Sequence, residues 1–268
     1  MSKLTPSVLK LFFMAFIAVV AIAGCTKKDE PSGNAPQLPP KETMALPNFD
    51  KFPSGKTDET QGLSHFYAAA GVGIWNTILA INLVLPVAAF AESFNHTPFY
   101  KDGAWNWAYA VNVNNVIHLA NLQAIDNGTT IEWKMLISKQ GEYSDLVWFT
   151  GTSAKDGKNG SWTLMKDPVS NIPYIGIEWT KENDKIGNIK FSNLIPGDPG
   201  KDSYIHAGLT ADTQYNAFYT IFTKNDNNMA NIEWNTLSAN GRIKSPATFN
   251  DTNWHCWDWT LADIICPN

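Results

Sequence analysis

Arginine is almost missing from this chain: Arg242 is the only one in 268 residues. Recognition of phosphate leans on arginine's planar fork, and nucleic-acid binding needs a basic surface. With a formal net charge of −5, the composition argues against a nucleic-acid partner. Catalytic signatures are missing as well. The sequence holds no Gly-x-Ser-x-Gly elbow, no Gly-rich phosphate loop, no His-Glu-x-x-His and no Ser-x-x-Lys. The five histidines, His65, His96, His118, His206 and His255, are widely separated. Isolated histidines on strands are ordinarily structural. No enzymatic activity, cofactor or metal is expected.

The N-terminus carries its own pattern. Lys3 and Lys10 supply positive charge, and Leu11 to Ala23 form an uninterrupted apolar run. That run is shorter than the ~20 residues a spanning helix needs, and suits the apolar region of a signal peptide. Ile22-Ala23-Gly24-Cys25 follows. It resembles the lipobox of bacterial lipoproteins, in which small residues precede a cysteine that receives a diacylglyceryl group and becomes the new N-terminus. The resemblance covers residues 1–25. It implies a signal peptide over 1–24, lipidation of Cys25, and a membrane partner reached through that lipid. Thr26 stands where an aspartate would signal inner-membrane retention, and Lys27-Lys28-Asp29-Glu30 resembles the charged tags of surface-exposed lipoproteins. The implied address is the outer membrane of a Gram-negative bacterium, on its periplasmic or outer face. With Cys25 lipidated, Cys256 and Cys266 remain, and an oxidising compartment favours pairing them.

Residues 25–61 read as the lipidated cysteine and a proline-rich tether. Pro31, Pro36, Pro39, Pro40, Pro47 and Pro53 sit among scattered charges with few large apolar residues. Such composition buries too little surface to offset chain entropy. A flexible coil of this length spans about 35 Å root-mean-square, enough for the domain to stand clear of the membrane. Residues 62–268 fit one domain.

Leu63 to Ala91 contains no acidic or basic side chain apart from His65. Its alanine content predicts helix over about 63–94, with a break or kink near Pro86. A transmembrane helix and a helix buried against a sheet compete for this segment. Burial is favoured, since Asn76 and Asn82 are costly in lipid and no lysine asymmetry marks a topology.

From Trp105 the period changes to two. Trp107, Tyr109, Val111 and Val113 alternate with smaller or polar residues, as do Ile131, Trp133, Met135 and Ile137, then Ile175, Ile177 and Trp179. Later come Tyr215, Ala217, Tyr219 and Ile221, then Ile232 and Trp234. Turn clusters such as Asp126-Asn127-Gly128 and Lys155-Asp156-Gly157 separate the runs. Strands without intervening helices predict a mainly β fold, an antiparallel meander of about eight to ten strands. Such a sheet forms a curved sheet or partly closed barrel, with the N-terminal helical segment packed in or across it. That outline looks like lipocalin-type and lipoprotein-carrier folds, an analogy of architecture alone.

The densest polar cluster is Trp254-His255-Cys256-Trp257-Asp258-Trp259. On a strand His255 points away from Cys256 and Asp258, which argues against a shared metal ion. Trp254, His255 and Trp257 are the candidate ligand-binding residues. Glu132, Glu178 and Glu233 recur in Ile-Glu-Trp triplets opposite the tryptophan face, and read as solvated carboxylates rather than as the paired acids of a glycosidase. The leading expectation is a non-enzymatic envelope lipoprotein that binds an apolar or amphipathic molecule between helix and sheet. The alternatives are a surface glycan-binding module using exposed tryptophans, and a structural or assembly protein whose partner is another envelope protein.

Overall fold

The break in the apolar segment falls at Leu83, three residues before Pro86. In the computed structural model, which describes residues 33–44, 52, 62–167, 169–182 and 185–267, helix α1 covers Leu63–Asn82 and α2 covers Val84–Ser93. Proline lacks an N–H and its ring crowds the carbonyl four residues back, here Asn82, so the kink belongs one turn upstream of it. The two axes differ by 64°. The N-terminus of α1 is held from the far end of the chain. Asp263 accepts hydrogen bonds from the backbone N–H groups of Leu63 at 2.9 Å and Ser64 at 3.0 Å, two donors a helix start cannot satisfy internally. No single described helix is long and apolar enough to cross a membrane.

Fourteen antiparallel strands follow in strict sequence order. They are β1 (Phe99–Lys101), β2 (Ala104–Val113), β3 (Val116–Asp126), β4 (Thr130–Lys139), β5 (Tyr143–Ala154), β6 (Asn159–Met165) and β7 (Pro173–Glu182). Then come β8 (Lys185–Asn193), β9 (Tyr204–Leu209), β10 (Ala217–Thr223), β11 (Asn228–Trp234) and β12 (Gly241–Lys244). A short helix α3 (Pro246–Phe249) precedes β13 (His255–Trp257) and β14 (Asp263–Ile264). The meander is as expected, with more strands than the eight to ten anticipated. The surplus lies mostly in β1, β12, β13 and β14, which are too short to display a period. One turn is sharper than composition alone suggests. Val113 pairs with Val116, so Asn114 and Asn115 make a two-residue hairpin loop with φ of 52° and 64°, the geometry that matches strand twist.

The sheet must curl. Flat, the step from β2 to β13 spans about 50 Å at ~4.8 Å per strand. Yet α2 packs on β2 and β3, while α1 packs on β12, β13 and β14. Two helices of their lengths joined at this bend reach only about 40 Å end to end. The helix pair therefore stands like a stave between the two ends of an unclosed barrel.

Alternation decides what fills it. Ile131, Trp133, Met135 and Ile137 are buried on β4, and Trp162, Ile177, Trp179, Phe191 and Ile205 continue the inner face across the sheet. Glycine makes room for these indoles. Gly160 lies beside Trp179 in register, and a Cβ there would sit 2.6 Å from the indole Cζ2. From the helix side, Leu79, Leu83 and Phe90 join the same core.

Part of the proline-rich segment lies against the domain, while Gly33, Asn34, Gln37, Lys41 and Glu42 remain exposed. Pro39, Thr43 and Met44 are buried, a single 3-10 turn spans Lys41–Thr43, and Thr43 Oγ1 accepts a hydrogen bond from Trp162 Nε1 at 3.1 Å. Phe52 is also in the core, stacked on His65 and edge-on to Tyr219, Trp234 and Trp257. Proline lowers the entropy lost on fixing such a strap, and a few well-placed anchors suffice. The signal segment and Cys25 lie outside the described residues.

Candidate functional site

Side chains that point away from the core form the site. On β5 and β6 the alternation that sends Phe149, Gly151, Trp162 and Leu164 inward leaves Thr150, Thr152, Ser161 and Thr163 outward. Flanking strands present longer groups: Glu132 and Lys134 from β4, Glu178 from β7 and Lys190 from β8. Short hydroxyls between long charged side chains make a trough. One part, about 340 Å³, is lined by Gln123, Ile125, Glu132, Lys134, Thr150, Thr152, Ser161 and Thr163 beside Trp133 and Gly151. An adjoining part, about 400 Å³, is lined by Thr152, Asn159, Ser161, Glu178, Thr180, Asn188, Lys190 and His206 beside Gly160 and Trp179. Thr152 and Ser161 belong to both, so the trough is continuous.

Register explains the continuity. Glu132 pairs with Thr152, Thr152 with Ser161, and Ser161 with Glu178. Glu178 pairs with Lys190, Lys190 with His206, and the row runs on through Thr220 and Asn231 to Lys244. A single transverse line of polar groups thus crosses nine strands. Glu178 Oε2 lies 3.6 Å from Lys190 Nζ, and Lys190 also sits 4.9 Å from the centre of the Tyr204 ring. His206 packs edge-on to Phe218 at 5.1 Å. Tyr204 and Phe222 form an outward aromatic pair at 5.5 Å beside the row. Burial, then the nearby Lys190 ammonium, holds His206 below the usual histidine range, so it is a neutral donor and acceptor at pH 7.

This arrangement suits recognition of hydroxyl-rich ligands. It offers carboxylate, ammonium, amide, hydroxyl and imidazole groups in a line, with aromatic faces alongside. Glu132 and Glu178 do not form a catalytic pair. Three strand spacings, about 14 Å, separate their backbones, and Glu178 leans toward Lys190 on the far side. Retaining and inverting glycosidases hold their carboxyls about 5–9.5 Å apart.

Neither family models, nor curated proteins, nor solved structures yield a match to this chain.

The structure places the three candidate residues of the C-terminal cluster in three environments. Trp257 is 1 % exposed and its Nε1 donates to the Ala239 carbonyl at 2.9 Å. His255 stacks on Phe249 at 3.8 Å and hydrogen-bonds Asp251 at 3.1 Å. Trp254 covers the Arg242 guanidinium, whose other face meets Tyr215 while Nε and Nη2 bind Glu233 at 2.7 and 2.6 Å. The lone arginine is thus committed to Glu233 and two rings. Cys256 and Cys266 lie at disulfide distance, with Cα atoms 5.1 Å apart. Among the described residues no group of three or more His, Cys, Asp and Glu side chains could hold a metal ion. Sequence reading placed Glu132 and Glu178 correctly opposite Trp133 and Trp179 but missed the hydroxyl tract between them. The alternating Thr-x-Thr and Ser-x-Thr of residues 150–152 and 161–163 was the available signal.

Proposed function

We propose that this chain is a lipid-anchored, non-enzymatic binding protein of the bacterial cell envelope whose trough takes a glycan. One observation carries the reading: the unbroken transverse row from Glu132 to His206. An oligosaccharide is a linear array of hydroxyls with apolar ring faces, and the row with Tyr204 and Phe222 beside it complements both. The lipobox-like Ile22-Ala23-Gly24-Cys25 supports anchoring at an outer membrane, where glycans are the abundant polymer. The leading expectation put an apolar or amphipathic molecule between helix and sheet; this reading takes up the glycan alternative and moves its surface from exposed tryptophans to polar strands.

A panel of soluble oligosaccharides tests this by calorimetry. The account predicts binding to one structural class, weakened about tenfold or more in Glu178→Ala, since hydrogen bonds to charged groups contribute about 1.5–3 kcal/mol. No binding across the panel, or binding indifferent to Glu178→Ala and His206→Ala, contradicts it.

An amphipathic cargo that offers polar atoms is the second reading, favoured by the inner face. Trp179 Nε1, Trp234 Nε1 and His118 Nδ1 are buried with no hydrogen-bond partner among the described residues, and such orphans ordinarily meet water or a ligand. Native mass spectrometry of detergent-free protein decides it: a stoichiometric lipid-like adduct released on denaturation supports the carrier, a clean apo mass removes it.

A further inference from the structure

We infer that the outward face of α1 rests on the lipid bilayer, with the sheet's polar trough turned toward water. Leu63, Phe66, Ile74, Ile78 and Ile81 recur at helical spacing on this face, and Leu63, Ile74 and Ile81 are 62 %, 63 % and 73 % exposed. A water-facing helix carries charge on that side. Here the sequence from Leu63 to Ala91 offers only His65, which is 0 % exposed. Two polar side chains are turned back on the helix: Thr77 Oγ1 donates to the Gly73 carbonyl at 2.9 Å, and Asn82 Nδ2 to the Ile78 carbonyl at 2.6 Å; Asn76, two positions from both Ile74 and Ile78, is exposed off this stripe. A helix facing hydrocarbon must satisfy its polar groups internally, as these do.

The chain before the domain identifies the occupant. This step rests on the anchor at Cys25. About eight residues separate that cysteine from Gly33, the first described position, and they span at most ~29 Å. The strap that follows is fastened to the domain by Thr43 on Trp162, and its Lys41 lies 4.8 Å above the ring of Phe94, at the end of α2. The described strap thus shortens the leash and passes beside the helix pair. Anchored so closely, an uncharged stripe meets the bilayer at high effective concentration. The helices pack on β2, β3, β10 and β12–β14, toward the two ends of the sheet, whereas the trough centres on the middle strands β4–β9, with Gln123 and Ile125 of β3 at its margin. Seating the stave on lipid points the trough away from it.

Site-directed fluorescence on the mature, lipidated chain tests the pose. With Cys256 and Cys266 paired and Cys25 acylated, Ile81→Cys introduces a single free thiol for an environment-sensitive dye, and Glu178→Cys serves as the trough control. The probes are phosphatidylethanolamine–phosphatidylglycerol vesicles carrying brominated acyl chains. The account expects the Ile81 label to shift to the blue and lose most of its emission to bromine, while the Glu178 label remains open to aqueous iodide. An Ile81 label quenched by iodide and not by bromine overturns the inference. So does one shielded from both, which assigns the face to a second copy. Mass spectrometry of the N-terminal peptide reports on the anchor separately. An unlipidated Cys25 removes the leash argument whatever the dye shows, and a lipidated Cys25 with a water-exposed Ile81 label removes the docking face alone.

Discussion

Asp263 carries more of this fold than its exposed position on a two-residue strand suggests. It caps a helix that starts 200 positions earlier, through bonds to Leu63 and Ser64. An N-cap carboxylate contributes about 0.5–2 kcal/mol, and its charge complements the helix dipole. Asp263→Ala should therefore lower urea-unfolding stability by about 1 kcal/mol; an unchanged midpoint would show that the cap is not a stabilising contact. His206 sets a second expectation. Burial and Lys190 disfavour its charged form in the folded chain, so the unfolded chain takes up that proton first. Stability should then be level above the ordinary histidine value of 6.5 and fall as pH drops below it. Asp126, beside Lys155, and Asp212, bonded to backbone N–H groups, are held below the usual carboxylate range, so their share is lost only below 3.8. Unfolding measured across pH should show the upper limb flatten in His206→Gln while the lower limb persists. An upper limb that survives the substitution assigns it elsewhere.

Elements were legible wherever their period was long enough to see. β2, β4 and β7 follow from alternation, and the helix break follows from Pro86, because both patterns are local. The short strands β12–β14 were not, since what makes them strands is pairing with a neighbour rather than their own sequence. The strap's packing was unreadable for a related reason: its anchors Thr43 and Phe52 gain their partners from Trp162, Tyr219 and Trp257 far along the chain. Within the sheet, Gly160 is a position where packing dictates the residue. Gly160→Val places side-chain atoms against the Trp179 indole, and overpacking of this kind costs about 1–3 kcal/mol. Tolerance of valine without loss of stability would mean the strands can part there. At the C-terminal end, the loop closed by Cys256 and Cys266 is 10 residues in sequence separation. Its chain-entropy value is about 2.5–3 kcal/mol, so the double alanine variant should lose up to that amount, with faster hydrogen exchange confined to β13 and β14. A larger loss spread over β4–β9 would show that the edge and the trough unfold together.

At the scale of the molecule, two faces are set apart by composition. The outward face of α1 is apolar and uncharged, and the middle of the sheet is polar, with the lone arginine held outside it. Half of this division was readable, because the uncharged run and the outward glutamates are patterns in the chain. The trough was not, since it arises only when register aligns Thr152 and Ser161 with Glu132 and Glu178 across four strands. The most direct test of the glycan reading is backbone chemical-shift mapping as the best oligosaccharide of the panel is titrated in. The account predicts shifts confined to outward positions of β4–β9, centred on Thr152, Ser161, Glu178 and His206. Shifts centred instead on Trp254 and Trp259, or on the inner face around Trp179 and Trp234, would contradict it.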